Sequence, residues 1–243
     1  GGLNKGGQGI YALDITNPAN ITESNAASLV LWEFTDANDA DLGYTFTQPS
    51  IVRLQNGQWA AVFGNGYNNS QPDGRASTTG YAVLYIVNMQ TGSVIRKIST
   101  QAGLVLTPNG LATPAVVDLD GDAMADYVFA GDLLGNMWKF DIRDTNPANW
   151  RVAYTDGSGK PAPLYVAKDS ATPTPNPQPI TVRPEVGLGP GGYTCLRVGL
   201  AAQEAARAVL EGPRDWLAET AAGLAADREV ALAALRATPD LEA

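Results

Sequence analysis

The chain has 243 residues, 44% of them hydrophobic, which is enough apolar material for one or two domains with a hydrophobic core. Its 25 acidic and 16 basic residues give a formal net charge of −9, and because an acidic chain repels phosphate backbones, binding to nucleic acid is not expected. It contains no histidine and one cysteine, Cys195, which excludes an internal disulfide, a thiolate zinc cluster and the catalytic triads that need histidine.

The sequence also lacks the signals of a membrane span and of a secretory leader. No stretch approaches the roughly 18 consecutive apolar residues of a transmembrane helix. The chain begins without an initiator methionine and without a charged segment followed by an apolar one. We therefore expect the chain to be a piece of a longer protein.

Short β-strands are predicted throughout residues 1–194. Four segments are rich in β-branched and aromatic residues, namely 51–54, 59–63, 81–87 and 93–98. Turn-forming residues separate them at 55–57, 64–66 and 90–92. Because this part of the chain shows no convincing helical period, we predict an all-β fold.

Internal repeats indicate how these strands are arranged. Residues 47–52 recur as 112–117 and as 182–186, and their prolines, Pro49, Pro114 and Pro184, lie 65 and 70 residues apart. A second pattern, with apolar and aromatic residues before an Asp or Asn, occurs at 11–15, 84–88 and 138–142. A four-stranded repeat whose first strand follows a proline is typical of a β-propeller blade. We predict about three blades of a quinoprotein-like propeller; a β-sandwich with chance similarity is the alternative.

Residues 118–126 form the segment with the clearest chemistry. Carboxylates stand at loop positions 1, 3, 5 and 9, and position 7 offers a main-chain carbonyl; the residues are Asp118, Asp120, Asp122, Met124 and Asp126. Calcium is a hard cation that takes six to eight oxygen ligands, and this spacing between two strands suits it better than it suits magnesium. The alternative is a solvated acidic turn. Ala123 occupies position 6, where glycine is usual for a sharp turn, so the site is expected to be strained.

Several weaker signals are read as structural. The acidic segment 36–41 has irregular spacing and predicts a solvated loop. Four tryptophans at strand positions are expected to pack between blades: Trp32, Trp59, Trp138 and Trp150. The proline-rich segment 169–179 predicts an extended linker.

The composition changes near residue 195. Residues 195–243 are rich in alanine and arginine, and the segments 203–210 and 227–235 predict two amphipathic helices separated by Gly212 and Pro213. We predict a short helical tail, unrelated to the propeller or produced by a shifted reading frame, and assign it no function.

Seven ordered segments of residues 1–194 together resemble the C-terminal β-propeller of the PilC/PilY family, the type IV pilus biogenesis and pilus-tip adhesin proteins. The segments are 6–14, 42–49, 59–67, 109–114, 125–132, 135–141 and 178–186. The resemblance implies a modified seven-bladed propeller with one calcium site between strands of a blade. The residues carried over are Asp118, Asp120, Asp122, the Met124 carbonyl and Asp126.

The same resemblance implies a function and a location. It implies a non-enzymatic calcium-binding module that regulates pilus assembly, extension against retraction, and surface attachment. The expected partners are minor pilins of the tip complex and, through regions outside this chain, a host or abiotic surface. The expected location is the pilus tip, the outer membrane surface or the periplasm of a Gram-negative bacterium.

Two other functions use related propellers. A quinoprotein-type dehydrogenase would need converging polar groups around a cofactor on the propeller axis, and the sequence shows no such cluster. An integrin-like FG-GAP propeller uses a similar calcium loop, but the long pilus-family segments favour the first interpretation.

Overall fold

The computed structural model describes residues 1, 7–70, 74–169, 173–174, 176–188 and 194–197, and they form an all-β structure. The short helix α1 (Ala26–Leu29) and three 3-10 turns interrupt the strands. None of the helices in these residues is long and apolar enough to cross a membrane. The strands, in chain order, are β1 (Gly9–Leu13), β2 (Val30–Thr35), β3 (Ser50–Arg53), β4 (Trp59–Gly64), β5 (Val83–Asn88), β6 (Val94–Ser99), β7 (Ala115–Val117), β8 (Tyr127–Gly131), β9 (Asn136–Asp141), β10 (Arg151–Val152), β11 (Tyr154–Thr155), β12 (Pro161–Ala162), β13 (Tyr165–Val166), β14 (Glu185–Leu188) and β15 (Thr194–Arg197).

Two antiparallel sheets have the form of propeller blades. Strands β3, β4, β5 and β6 pair in sequence order, and β7, β8, β9 and β10 do the same, with β13 also pairing with β9. The remaining strands form the pairs β1–β2, β11–β12 and β14–β15. Each repeated proline directly precedes a first strand: Pro49 comes before β3, Pro114 before β7 and Pro184 before β14. The predicted four-stranded repeat is thus confirmed.

The sheets stack face to face, and two of the hydrophobic clusters of the described residues lie on the two faces of the β3–β6 sheet. One cluster joins β1–β2 to the β3–β6 sheet, with Phe34, Phe63 and Tyr85 among its aromatic side chains. The other joins the β3–β6 sheet to the β7–β10 sheet through residues such as Ile86 and Trp138. Because side chains alternate between the two faces of a strand, the central strands β4 and β5 each contribute to both clusters. This stacking of sheets through both faces is what a blade needs, since one blade cannot bury its own faces.

The repeat extends to individual side chains of the third strands. Tyr85 in β5 pairs with Phe63, and Trp138 in β9 pairs with Ala130, at the same position of the two blades. Both aromatic rings are fully buried against the preceding sheet. The aromatic position of the repeat is therefore the residue that packs one blade on the next.

Two features differ from the expectations for the chain. Trp59, expected to pack between blades, is 57% exposed at the start of β4. Strand β15 pairs with β14 and runs through the composition change, to Arg197. The predicted helices at 203–210 and 227–235 lie outside the described residues.

Candidate metal centre

The acidic loop connects the first two strands of the β7–β10 blade. It leaves β7 after Val117 and enters β8 at Tyr127, and its last amides anchor it on both sides. The Asp126 amide donates to the Val117 carbonyl of the same blade at 2.9 Å. The Ala125 amide donates to the Arg53 carbonyl of the preceding blade at 2.8 Å. The carboxyl-terminal end of the loop is therefore fixed, while residues 118–123 lie at the surface.

Three of the four predicted carboxylates converge. One oxygen from each of Asp118, Asp120 and Asp126 lies within 4.8 Å of the others. Two ligands on opposite sides of a calcium ion are about 5 Å apart, since each calcium–oxygen distance is roughly 2.3–2.6 Å. The three oxygens therefore fit around one such ion.

The backbone of the loop curls around these carboxylates. Asp118 accepts from the amide of Gly121 at 2.7 Å and from the amide of Ala123 at 2.8 Å. Asp126 is 96% buried, with an exposed fraction of 4%, and its Oδ2 accepts from the Leu119 amide at 2.8 Å. These hydrogen bonds fix the orientations of the carboxylates and use only some of their lone pairs. The remaining lone pairs of the same oxygens can bind a cation.

Ionisation within the loop shows the conflict between like charges. Desolvation opposes ionisation of Asp118, but the hydrogen bonds from the amides of Gly121, Ala123 and Asp122, with that to Asp120, together outweigh it and lower the pKa of that carboxyl. The amide of Asp122 favours ionised Asp120, yet desolvation and the other three loop carboxylates outweigh it and raise the pKa of Asp120. A cation among these groups would relieve that repulsion.

Two predicted ligands are placed differently. Asp122 is exposed and lies outside the converging group; its Oδ1 accepts from the Met124 amide at 2.8 Å. Met124 follows as a half-buried residue, and its proposed contribution is the main-chain carbonyl. The part of Asp122 and of Met124 in a ligand shell therefore stays a prediction.

Ala123 has the left-handed backbone expected at position 6, with φ of 64°. An L-residue there costs roughly 1–2 kcal/mol, whereas glycine adopts this region freely at an entropic cost of about 0.5–1 kcal/mol. Ala123→Gly should therefore raise the free energy of unfolding by about 0.5–1 kcal/mol, measured by urea denaturation. Ala125→Gly, in the same loop but without positive φ, is the control and should lower it. Equal effects of the two substitutions would show that position 123 is not strained.

The acidic segment 36–41, predicted as a solvated loop, is instead neutralised by a lysine. Lys97 Nζ lies 2.7 Å from Asp39 Oδ1 and 2.7 Å from Asp41 Oδ2. Asp41 also accepts hydrogen bonds from Ser77 and Thr79. Desolvation opposes ionisation of Asp41, but the hydrogen bonds from Lys97, Ser77 and Thr79 and the charge of Lys97 together outweigh it and lower the pKa of Asp41. A lysine ammonium thus occupies the place that a metal ion would need here.

Sequence reasoning also missed a residue that reaches the loop from another blade. Gln55, in the turn between β3 and β4, places Nε2 3.3 Å from Asp126 Oδ1. The two residues are 71 positions apart, and a glutamine in a turn gives no sequence signal of such a contact.

Comparison with known proteins places the chain in a family. The family model described as the PilY1 beta-propeller domain matches residues 1–191. A Type IV pilus biogenesis factor PilY1 homolog of Xylella fastidiosa is 47% identical over 202 residues, which cover 79% of this chain and 13% of the relative. Type IV pilus biogenesis factor PilY1 of Pseudomonas aeruginosa is 39% identical over 183 residues, or 70% of this chain and 14% of the relative.

A solved structure agrees with the fold. The crystal structure of the Pseudomonas aeruginosa PilY1 C-terminal domain superposes with a TM-score of 0.64 at 36% sequence identity, over 79% of this chain and 38% of that chain. The chain spans about an eighth to a seventh of the length of the two curated relatives. Together with the stacked four-stranded blades, these matches confirm the resemblance found in the sequence: the chain belongs to the PilY1 family and forms part of its β-propeller domain.

Proposed function

We propose that residues 118–126 bind one calcium ion within a type IV pilus biogenesis protein. The observation that supports the site most strongly is the convergence of Asp118, Asp120 and Asp126 oxygens within 4.8 Å. In the proposed shell, the carboxylate of Asp122 and the main-chain carbonyl of Met124 complete the set of ligands.

The donor chemistry favours calcium over other divalent ions. All proposed ligands are oxygens, whereas zinc prefers histidine and cysteine, and neither occurs in the loop. Magnesium keeps several waters and needs near-ideal octahedral geometry. A loop that offers carboxylates and a carbonyl from alternate positions suits the larger and more adaptable coordination shell of calcium.

The pilus role rests on the relatives, which are named as biogenesis factors and not as enzymes. In this proposal the bound ion regulates pilus assembly, the balance of extension against retraction, and surface attachment. The protein acts at the pilus tip, at the outer membrane surface or in the periplasm, with minor pilins as its partners. No catalytic role is proposed.

The cellular test compares bacteria that make the full-length protein with and without an intact loop. Asp118→Ala and Asp126→Ala should remove the response of surface pilus number and twitching motility to added calcium. Glu23→Gln, an exposed site that loses one negative charge away from the loop, is the control and should respond as wild type does. Bacteria with Asp126→Ala that keep the full calcium response would refute the proposed regulation.

A further inference from the structure

The proposed cation loop is joined to the preceding blade by its backbone. Leu54, which directly follows β3, and Ala125, near the end of the loop, form a parallel bridge in which the Ala125 amide donates to the Arg53 carbonyl. Both Leu54 and Ala125 are buried in the hydrophobic cluster between the two blades. The neighbouring blade therefore helps to fix the terminal geometry of the loop.

The turn that receives this contact is itself closed by hydrogen bonds. The Leu54 amide donates to the Gln58 carbonyl at 2.9 Å, and the Gly57 amide donates to the Leu54 carbonyl at 2.8 Å. Gln55 lies inside this turn and is half-buried. Its side chain is thus projected from a fixed backbone toward the loop.

Gln55 meets the one buried carboxylate of the loop. Asp126 uses Oδ2 for the Leu119 amide of its own loop and Oδ1 for Gln55 Nε2 of the other blade. The carboxylate that joins Asp118 and Asp120 is therefore oriented from two sides, by a backbone amide and by a side-chain amide. Groups that orient a metal ligand in this way set the affinity of the site although they do not touch the metal.

We propose that Gln55 is a positioning residue of the cation site and that cation binding there tightens the contact between the two blades. The inference rests on the proposed calcium binding. If the site is complete only when the β3–β4 turn lies against the loop, linkage requires the bound ion to favour that contact by the same factor. Bound calcium then stabilises the contact between the two blades as well as the conformation of the loop.

The test uses the full chain and calcium itself. Calorimetry gives the calcium affinity, and hydrogen exchange at the Ala125 amide, which donates to Arg53, reports the contact between blades. Calcium should slow exchange of that amide in the wild type. Gln55→Ala should weaken calcium binding roughly tenfold, as for other groups that orient metal ligands, and should reduce the protection. Its urea midpoint in a chelator gives the direct cost of losing the Gln55–Asp126 hydrogen bond, which is separate from the change in calcium affinity.

A glutamine in another turn provides the control. Gln90 is exposed in the turn between β5 and β6, and Gln90→Ala should change neither affinity nor protection. If the wild type binds calcium and Gln55→Ala binds it equally tightly with the same protection of Ala125, the positioning role is wrong while calcium binding stands. If the wild type itself binds no calcium, the proposed site fails and this inference fails with it.

Discussion

Asp132→Asn is expected to lower the free energy of unfolding by about 3 kcal/mol, because a buried acceptor would be replaced by a group that also donates. Asp132 is fully buried and accepts from the side chains of Asn109, Asn136 and Trp138, each at 2.8 Å. It also accepts from the amides of Leu134 and Asn136, each at 2.9 Å. Every partner is a donor, so the amide NH₂ of asparagine would face donors with no acceptor to bind.

The equivalent position of the preceding blade provides the matched comparison. Asn65 follows β4 as Asp132 follows β8, but its Oδ1 accepts from Val83 and Leu111 while its Nδ2 donates to the carbonyls of Asp41 and Tyr81. Asn65→Asp should therefore destabilise by a similar amount, because a carboxylate would face two carbonyls.

Urea denaturation of both variants checks this pair of predictions. Asp36→Asn, a substitution of the same chemistry at a half-exposed carboxylate, is the control and should stay within about 0.5 kcal/mol of the wild type. A stability of Asp132→Asn equal to that of this control would mean that the five hydrogen bonds to Asp132 do not hold the blade together.

Calcium is expected to raise the stability of the chain, by about 2.7 kcal/mol at a free concentration of one hundred times the dissociation constant. Asp118→Ala and Asp126→Ala should abolish this increment, since each removes a carboxylate of the converging group. Met124→Ala should keep it, because the proposed ligand is the main-chain carbonyl. Thermal unfolding with calcium and with a chelator gives the increment for each variant. Because the increment compares the same variant with and without calcium, it separates loss of the ion from any direct effect of losing the Asp126 hydrogen bond to Leu119.

The variant Asp122→Ala tests whether the Asp122 carboxylate is one of the calcium ligands. Asp122 stands at a regular loop position but lies outside the converging oxygens, with its Oδ1 engaged by the Met124 amide. A partial loss of the increment in Asp122→Ala would indicate that this carboxylate joins the ion, and an unchanged increment would leave it outside the shell. If alanine at both Asp118 and Asp126 preserved the full increment, calcium would be acting elsewhere.

The blades could be predicted because their signals are local and repeated. A proline before each first strand and an aromatic residue in each third strand recur with the spacing of the sheets, so Tyr85 and Trp138 could be aligned without a structure. The convergence of Asp118 and Asp120 was predictable for the same reason, since both carboxylates lie within one short segment with regular spacing, while cation binding by that segment stays a prediction.

The contacts between segments could not be predicted in this way. Gln55 and Asp126 meet only because two sheets stack, and Lys97 reaches Asp39 across 58 residues for the same reason. Trp59 shows the converse: its strand position predicted burial, but the extent to which a blade face is covered depends on its neighbours. Hydrophobic alternation specifies which face of a strand is apolar and leaves open what lies against it.

The most direct test of the proposed site is a calorimetric titration of the full chain with calcium after treatment with a chelator. We expect one site with a dissociation constant of the order of 1–10 µM, as in sensor-type calcium loops, and much weaker binding of magnesium. Asp118→Ala and Asp126→Ala should give only the heat of dilution. The absence of a binding heat for the wild type, or an undiminished site in both variants, would contradict the assignment of residues 118–126 as a calcium site.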